Sequence, residues 1–167
     1  MAELRPALPA IVAQGQERAP YFSVLLSNRR SLEIVVNNRE ERVAERPPYA
    51  GTVLSAFDGV TMHERAVGDF SQAEVQSAAK ELVRGLQSGK YIPQDVPSRS
   101  GDFATQVRID PLDLTVQEKL DRCRELHRRA KGLDARIVNV QILYRESNEH
   151  SVFANRGTDV AQRVQRV

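Results

Sequence analysis

A chain of 167 residues with a net charge of +2, 41% apolar and 28% charged, has the make-up of an ordinary soluble globular protein. Its length suffices for one domain, or one and a half small ones, with a real core. The near-balanced charge argues against a dedicated nucleic-acid or membrane-surface binder, and no stretch approaches the roughly 18 apolar residues of a membrane helix.

The N-terminus reads Met1-Ala2-Glu3-Leu4-Arg5-Pro6, with an early acid and no long apolar run, which is not a secretory signal. The one cysteine, Cys123, cannot form an internal disulfide and fits a reducing cytoplasm. In segment 1–20, Leu4, Leu8, Ile11 and Val12 have helical spacing, with Pro6 suited to a first turn and Gly15 and Pro20 ending the helix. Segment 21–89 opens as a meander. Tyr21–Leu26 and Leu32–Val36 are apolar runs of strand formers, with turns expected at 28–31 and 37–39, where Asn tolerates left-handed backbone. Pro47-Pro48 is expected to halt a third segment. Thr52–Phe57 then leads into Asp58-Gly59, the strongest hairpin signal in the chain, and Val60–Val67 returns.

A helix follows over 71–88, with Val75, Ala78, Ala79, Leu82, Val83 and Leu86 on one face, a capping box at Ser71 and Glu74, and Gly89 as its left-handed close. Segment 90–114 carries Pro93, Pro97, Gly101 and Pro111 and reads as an irregular connection. Segment 115–167 begins with a second helix, 115–132, capped by Thr115 and Glu118 and stopped by Gly132. Val116, Leu120, Cys123, His127 and Ala130 form its stripe, widened by Leu126 and Leu133. Strands at Ile137–Tyr144 and Ser151–Ala154 and from Thr158 onward, with turns at Ser147-Asn148 and 155–157, complete the chain. The last strand reads as cut mid-element, an incomplete second subdomain. The fold class is therefore α+β, antiparallel strand clusters flanking two central amphipathic helices. Val24–Asn38 resembles Ile142–Arg156, and Val43–Arg46 resembles Val160–Arg163; an internal duplication and two generic hairpins are both open readings.

No catalytic constellation is legible. His63-Glu64 lacks the second histidine that a zinc-binding helix needs one turn on. Cys123 and His127 sit one helical turn apart, a spacing that suits zinc, but no matching second pair exists, and His150 lies elsewhere. A boundary histidine over a core cysteine is the better reading. Asp58 is turn chemistry. Asp110 and Asp113 favour the positive end of the following helix, and Asp134 flanks its other end. Arg122, Arg124, Arg128, Arg129 and Lys131 interleave with Glu118, Asp121 and Glu125, as a solvated face does. Glycine-rich phosphate loops and a nucleophile elbow are absent from the sequence. Catalytic, cofactor-binding and metal residues are accordingly all expected to be none in this chain.

Ile109–Leu120, with its Asp110-Pro111-Leu112 start, the Asp134-Ala135-Arg136-Ile137 segment, and Val152–Val160 with its Asn155-Arg156-Gly157-Thr158 turn, come in an order that resembles the N-terminal half of the TldD/PmbA family, once called modulators of DNA gyrase. The resemblance spans nearly all of residues 20–167 and is closer to the TldD branch. It implies a portion of a cytoplasmic zinc metallopeptidase whose zinc sits in a C-terminal half absent here, so this chain alone should be inactive. Homo- or hetero-dimers with a TldD/PmbA-type subunit and an unfolded peptide as substrate are likewise implied. An exposed strand edge, with the last strand as candidate, would hold such a peptide by main-chain pairing. After Asp58-Gly59 the family tends to Gly-Phe-Ala-Ser, where this chain has Met62-His63-Glu64-Arg65. A stand-alone interaction module is the alternative reading, and nucleic-acid or gyrase binding a weaker third.

Overall fold

The computed structural model describes residues 1–68, 70–86 and 97–167. Its elements are α1 (Leu8–Gln16), β1 (Tyr21–Asn37), β2 (Glu41–Phe57), β3 (Met62–Val67), α2 (Gln72–Leu82), β4 (Arg99–Ala104), α3 (Val116–Lys131), β5 (Gln141–Asn155) and β6 (Thr158–Arg166). The six strands form one sheet in the order β3-β2-β1-β5-β6-β4. The α+β class expected from the sequence is observed as a mixture of strands and helices, with the expected strand clusters joined in one sheet. The two similar segments fall on β1 and β5, which are neighbours at the sheet centre, each followed by its hairpin partner.

The chain divides into two compact units. The first is Met1–Asn28, Tyr49–Phe103 and His150–Arg163; the second is Arg29–Pro48, Ala104–Glu149 and Val164–Val167. The first unit has a core of Leu4, Leu8, Ile11 and Val12 from the N-terminal segment and α1, Phe22, Val24 and Leu26 from β1, Leu54 and Ala56 from β2, and Val75, Ala78 and Ala79 from α2. Alternate residues of β1 point inward, as the two-residue period of a strand requires. Each fully buried Leu or Phe in this set contributes about 1.5–3 kcal/mol. The second unit has a smaller core of Leu32, Ile34, Val36 and Cys123, bordered by Val116, Leu120, Ile142 and Tyr144.

Several expected chain reversals are not reversals. β1 runs unbroken through residues 28–31, and β5 through Ser147-Asn148. The real hairpins share one device, a side-chain oxygen that accepts backbone N–H groups two or three residues on. Asn37 accepts from Arg39 and Glu40, Asp58 from Val60 and Thr61, and Asn155 from Gly157. Among the described residues no non-glycine residue has positive φ, so Asn acts here as an acceptor and not through left-handed backbone. The polar runs at 28–31 and 147–148 instead mark where the strands leave one unit and enter the other.

Pro47 and Pro48 likewise lie inside β2. β3 pairs with β2 only from Thr52 to Phe57, so the prolines sit where that flank of β2 has no β3 partner to receive an N–H. Within the expected irregular connection, β4 and a 3₁₀ turn at Pro111–Asp113 are present. With β4 beside it in the sheet, β6 is not an edge strand, and Thr105 Oγ1 accepts from the Gln165 N–H. The last strand is thus not the free edge expected from the sequence.

The helix boundaries also shift. Thr115 and Glu118 form the full capping box, whereas Ser71 makes no side-chain cap and α2 starts on backbone bonding alone. α2 stops at Leu82, and Gly85, at φ +84°, supplies the left-handed residue; Gly89 lies outside the described residues. On α3, Leu126 and Leu133 are exposed, so the buried stripe is narrower than its sequence suggests. The expected strand from Ile137 begins only at Gln141, because Asp134 turns the chain by accepting from the Arg136 N–H.

Gly15 lies inside α1, where a Cβ would stand 2.3 Å from the Phe22 ring, itself fully buried. Gly15→Ala gains about 1 kcal/mol of helix propensity but overpacks the ring at about 1–3 kcal/mol. A thermal melt should show net destabilisation, and an unchanged or raised midpoint would refute the packing argument. The Asp58 carboxyl is lowered to about 2, first by the Thr61 N–H, then by His63 and the Val60 N–H. A carboxyl depressed in the fold stabilises above its ordinary value of 3.8 and loses that contribution as pH falls towards 2. Asp58→Ala should therefore lower the melting temperature at neutral pH and flatten its fall across that acid window.

Candidate functional site

The residues weighed from sequence do not assemble into a catalytic or metal centre. His63 Nε2 lies 2.8 Å from Asp58 Oδ2, and Glu64 accepts from the Ser55 hydroxyl on β2. Both belong to the β2–β3 hairpin. Cys123 is buried in the second core, and burial pushes its thiol pKa up, away from thiolate. His127 Nε2 is 3.0 Å from Asn38 Oδ1. Asp110 caps the 3₁₀ turn through the Leu112 N–H and accepts from the buried Gln165 side chain at 2.8 Å. Asp134 is spent on Arg136, which holds its carboxyl below the usual range.

Two members of the basic run on α3 are held by neighbouring acids. Arg124 bridges Asp121 and Glu41, raising its own pKa, and Arg128 pairs with Glu125. Among the described residues no group of three His, Cys, Asp or Glu is placed to hold a metal ion.

What the second unit does assemble is a cleft. One cavity of about 510 Å³ is lined by Arg29, Ser31 and Glu33 of β1, Arg46 of β2, Arg145 and Ser147 of β5, and Arg166 of β6. Another of about 460 Å³ shares Ser31, Leu32, Arg46 and Glu146 with it and continues along Pro48, Leu112, Leu114 and Val116. Both volumes fall within the range of small-molecule and peptide-side-chain sites. Glu33 is held by Arg42 at 2.7 Å and Arg145 at 2.8 Å, and these guanidinium groups, Arg145 first, keep it ionised.

Behind the shared wall lies a buried ion pair. Lys119 Nζ, its side chain 5% exposed, is 2.8 Å from Glu146 Oε1. The Tyr144 hydroxyl donates to the other oxygen, Oε2. Burial and then Glu146 push the Tyr144 pKa up, so it stays a donor. A carboxylate with both oxygens engaged is not a free general base. Lys119 is the one member with a sequence signal, a lysine within the apolar stripe of α3. Arg29, Arg46 and Arg166 lie far apart in sequence and carry no signal of association.

Solved structures with this architecture are known. A proposed modulator of DNA gyrase from Bacteroides thetaiotaomicron has a TM-score of 0.66 at 15% identity, over 98% of this chain and 38% of that one. Another from Thermotoga maritima has 0.64 at 14%, over 98% and 37%. TldE from Thermococcus kodakarensis has 0.60 at 16%, over 95% and 37%. These likenesses speak for the fold, and this chain spans less than two-fifths of each of those proteins. Residues 109–167 match the PmbA/TldA metallopeptidase central domain. No curated protein matches it. No helix among the described residues is long and apolar enough to cross a membrane.

Removing one partner of the Lys119–Glu146 pair strands a buried charge, at about 3–5 kcal/mol, whereas replacing both with apolar residues is often neutral. Lys119→Met and Glu146→Leu should each destabilise strongly, and the double variant should recover most of the loss. Additive losses in denaturant melts would show that the pair is not coupled.

Proposed function

We propose that this chain is a non-catalytic portion of a TldD-type zinc metallopeptidase, forming subunit contacts and part of the wall of a chamber that receives unfolded peptides. The observation that carries the reading is the match of residues 109–167 to a metallopeptidase central domain. One further fact supports it. The solved structures of this fold are more than twice the length covered here, which leaves room elsewhere for a zinc-binding half. On this reading zinc belongs to a domain outside these residues, and the dimer partner is a TldD/PmbA-type subunit.

A strand edge suited to an extended peptide lies on β2. Its stretch Glu41–Gly51 extends beyond the pairing with β3, and no other described strand neighbours that side. Pro47, Pro48 and the flanking charges limit indiscriminate pairing there.

The 167-residue chain alone should carry no stoichiometric zinc by plasma mass spectrometry and should cleave no unfolded peptide. Mixed with a TldD-type subunit, it should elute as a complex whose mass, by light scattering, is the sum of both chains. Zinc-dependent cleavage by this chain alone would overturn the non-catalytic assignment. Failure to associate with any TldD/PmbA-type subunit, itself included, would overturn the assembly role.

A further inference from the structure

The geometry points to the cleft of the second unit as a binding site for an acidic, partly apolar peptide segment, whose carboxylates Arg29, Arg46 and Arg166 receive. The inference rests on the peptide-chamber reading and names the chemistry of the peptide it favours. Four arginines line the larger cavity, and they differ in what they already hold. Arg145 is satisfied by Glu33. Arg29, Arg46 and Arg166 have no ion-pair or hydrogen-bond partner among the described residues, although three separate strands deliver them to one cavity of about 510 Å³.

The acidic side chains of the larger cavity are already engaged, and the other carboxylates at the cleft, Glu45 and the Val167 terminus, are outnumbered by Arg29, Arg46 and Arg166. Glu33 is shared between Arg42 and Arg145, and Glu146 is consumed by Lys119 and Tyr144. The cavity wall is thus left with unbalanced positive charge. Guanidinium groups so placed repel one another until an anion enters, and their planar forks suit carboxylates two bonds at a time. Ser31 and Ser147 add hydroxyl donors on the same wall.

The adjoining cavity decides between kinds of anion. It shares Arg46 and Ser31 with the first, and its far wall is Pro48, Leu112, Leu114 and Val116, with Leu112 52% exposed. A polyphosphate or nucleic-acid backbone has nothing to bury against that wall. A peptide alternating acidic and aliphatic side chains matches both parts at once. The chain's net charge of only +2 also keeps the positive potential local to the cleft.

The test is fluorescence anisotropy on the full chain with three labelled, unstructured peptides, alternating leucine with glutamate, with glutamine or with lysine. The glutamate peptide should bind at least ~tenfold more tightly than the glutamine peptide, and more weakly as salt rises. Arg46→Gln with Arg166→Gln should abolish that preference, while Arg108→Gln, exposed and outside both cavities, should leave it intact. All these arginines are at the surface, so a matching thermal melt certifies the fold. Equal binding of the glutamate and glutamine peptides, unaffected by the arginine variants, would overturn the acidic preference and leave the chamber reading standing. Binding of none of the three would overturn both. Displacement of the glutamate peptide by single-stranded DNA at lower concentration than by unlabelled peptide would assign the cleft to nucleic acid instead.

Discussion

The architecture depends on keeping β1 and β5 extended for 17 and 15 residues while their side chains serve two separate cores. An extended backbone presents alternate residues to one face for as long as it runs. The core-forming residues of β1 are Phe22, Val24 and Leu26 in the first unit and Leu32, Ile34 and Val36 in the second, with exposed Arg29 and Arg30 between. These core positions keep one parity along the strand, while Ser23 and Val35 are buried on its other face. Everything else is hung from these two strands. β2 and β6 return beside them through side-chain-closed turns, and α1, α2 and α3 cover the apolar runs.

The charges of the second unit are organised by burial. Lys119 and Glu146 face each other at the border of a small core, and Tyr144 fills the remaining oxygen of the carboxylate. That arrangement makes Glu146 a structural anion and withdraws it from the cleft it lines. Glu33 is withdrawn in the same way by two arginines. The cleft therefore differs from the outer face of α3, where Arg124 and Arg128 each meet an acid. Both regions are rich in arginine, but the unpaired Arg29, Arg46 and Arg166 converge on one cavity, whereas Arg122, Arg129 and Lys131 lie exposed along a helix.

Local signals in the sequence were faithful where the chemistry is itself local. The Thr115–Glu118 box closes within four residues, the Asp58-Gly59 turn within five, and both form as read. Ser71 shows the limit of such reading, since the same residue pattern left its hydroxyl without a cap. Asn28 and Asn148 show another. They have the composition of turns, but both lie inside continuous strands, whereas Asn37 and Asn155 close their hairpins by accepting from backbone two residues on. Leu126 and Leu133 have the right helical spacing and remain exposed, because a stripe is buried only where a neighbour covers it.

The sequence by itself determined the class of elements, the strong helix cap and the hairpin turns at Asn37, Asp58 and Asn155, because periodicity and turn chemistry are properties of consecutive residues. It also excluded a recognisable catalytic motif. Only the tertiary structure decided that six strands form one sheet, that β6 is covered by β4, and that Lys119 inside an apolar stripe meets Glu146. The cleft belongs wholly to this second group. Arg29, Arg46 and Arg166 are brought together by sheet order, and side chains separated by tens or more than a hundred residues have no shared local signal until the strands between them pair.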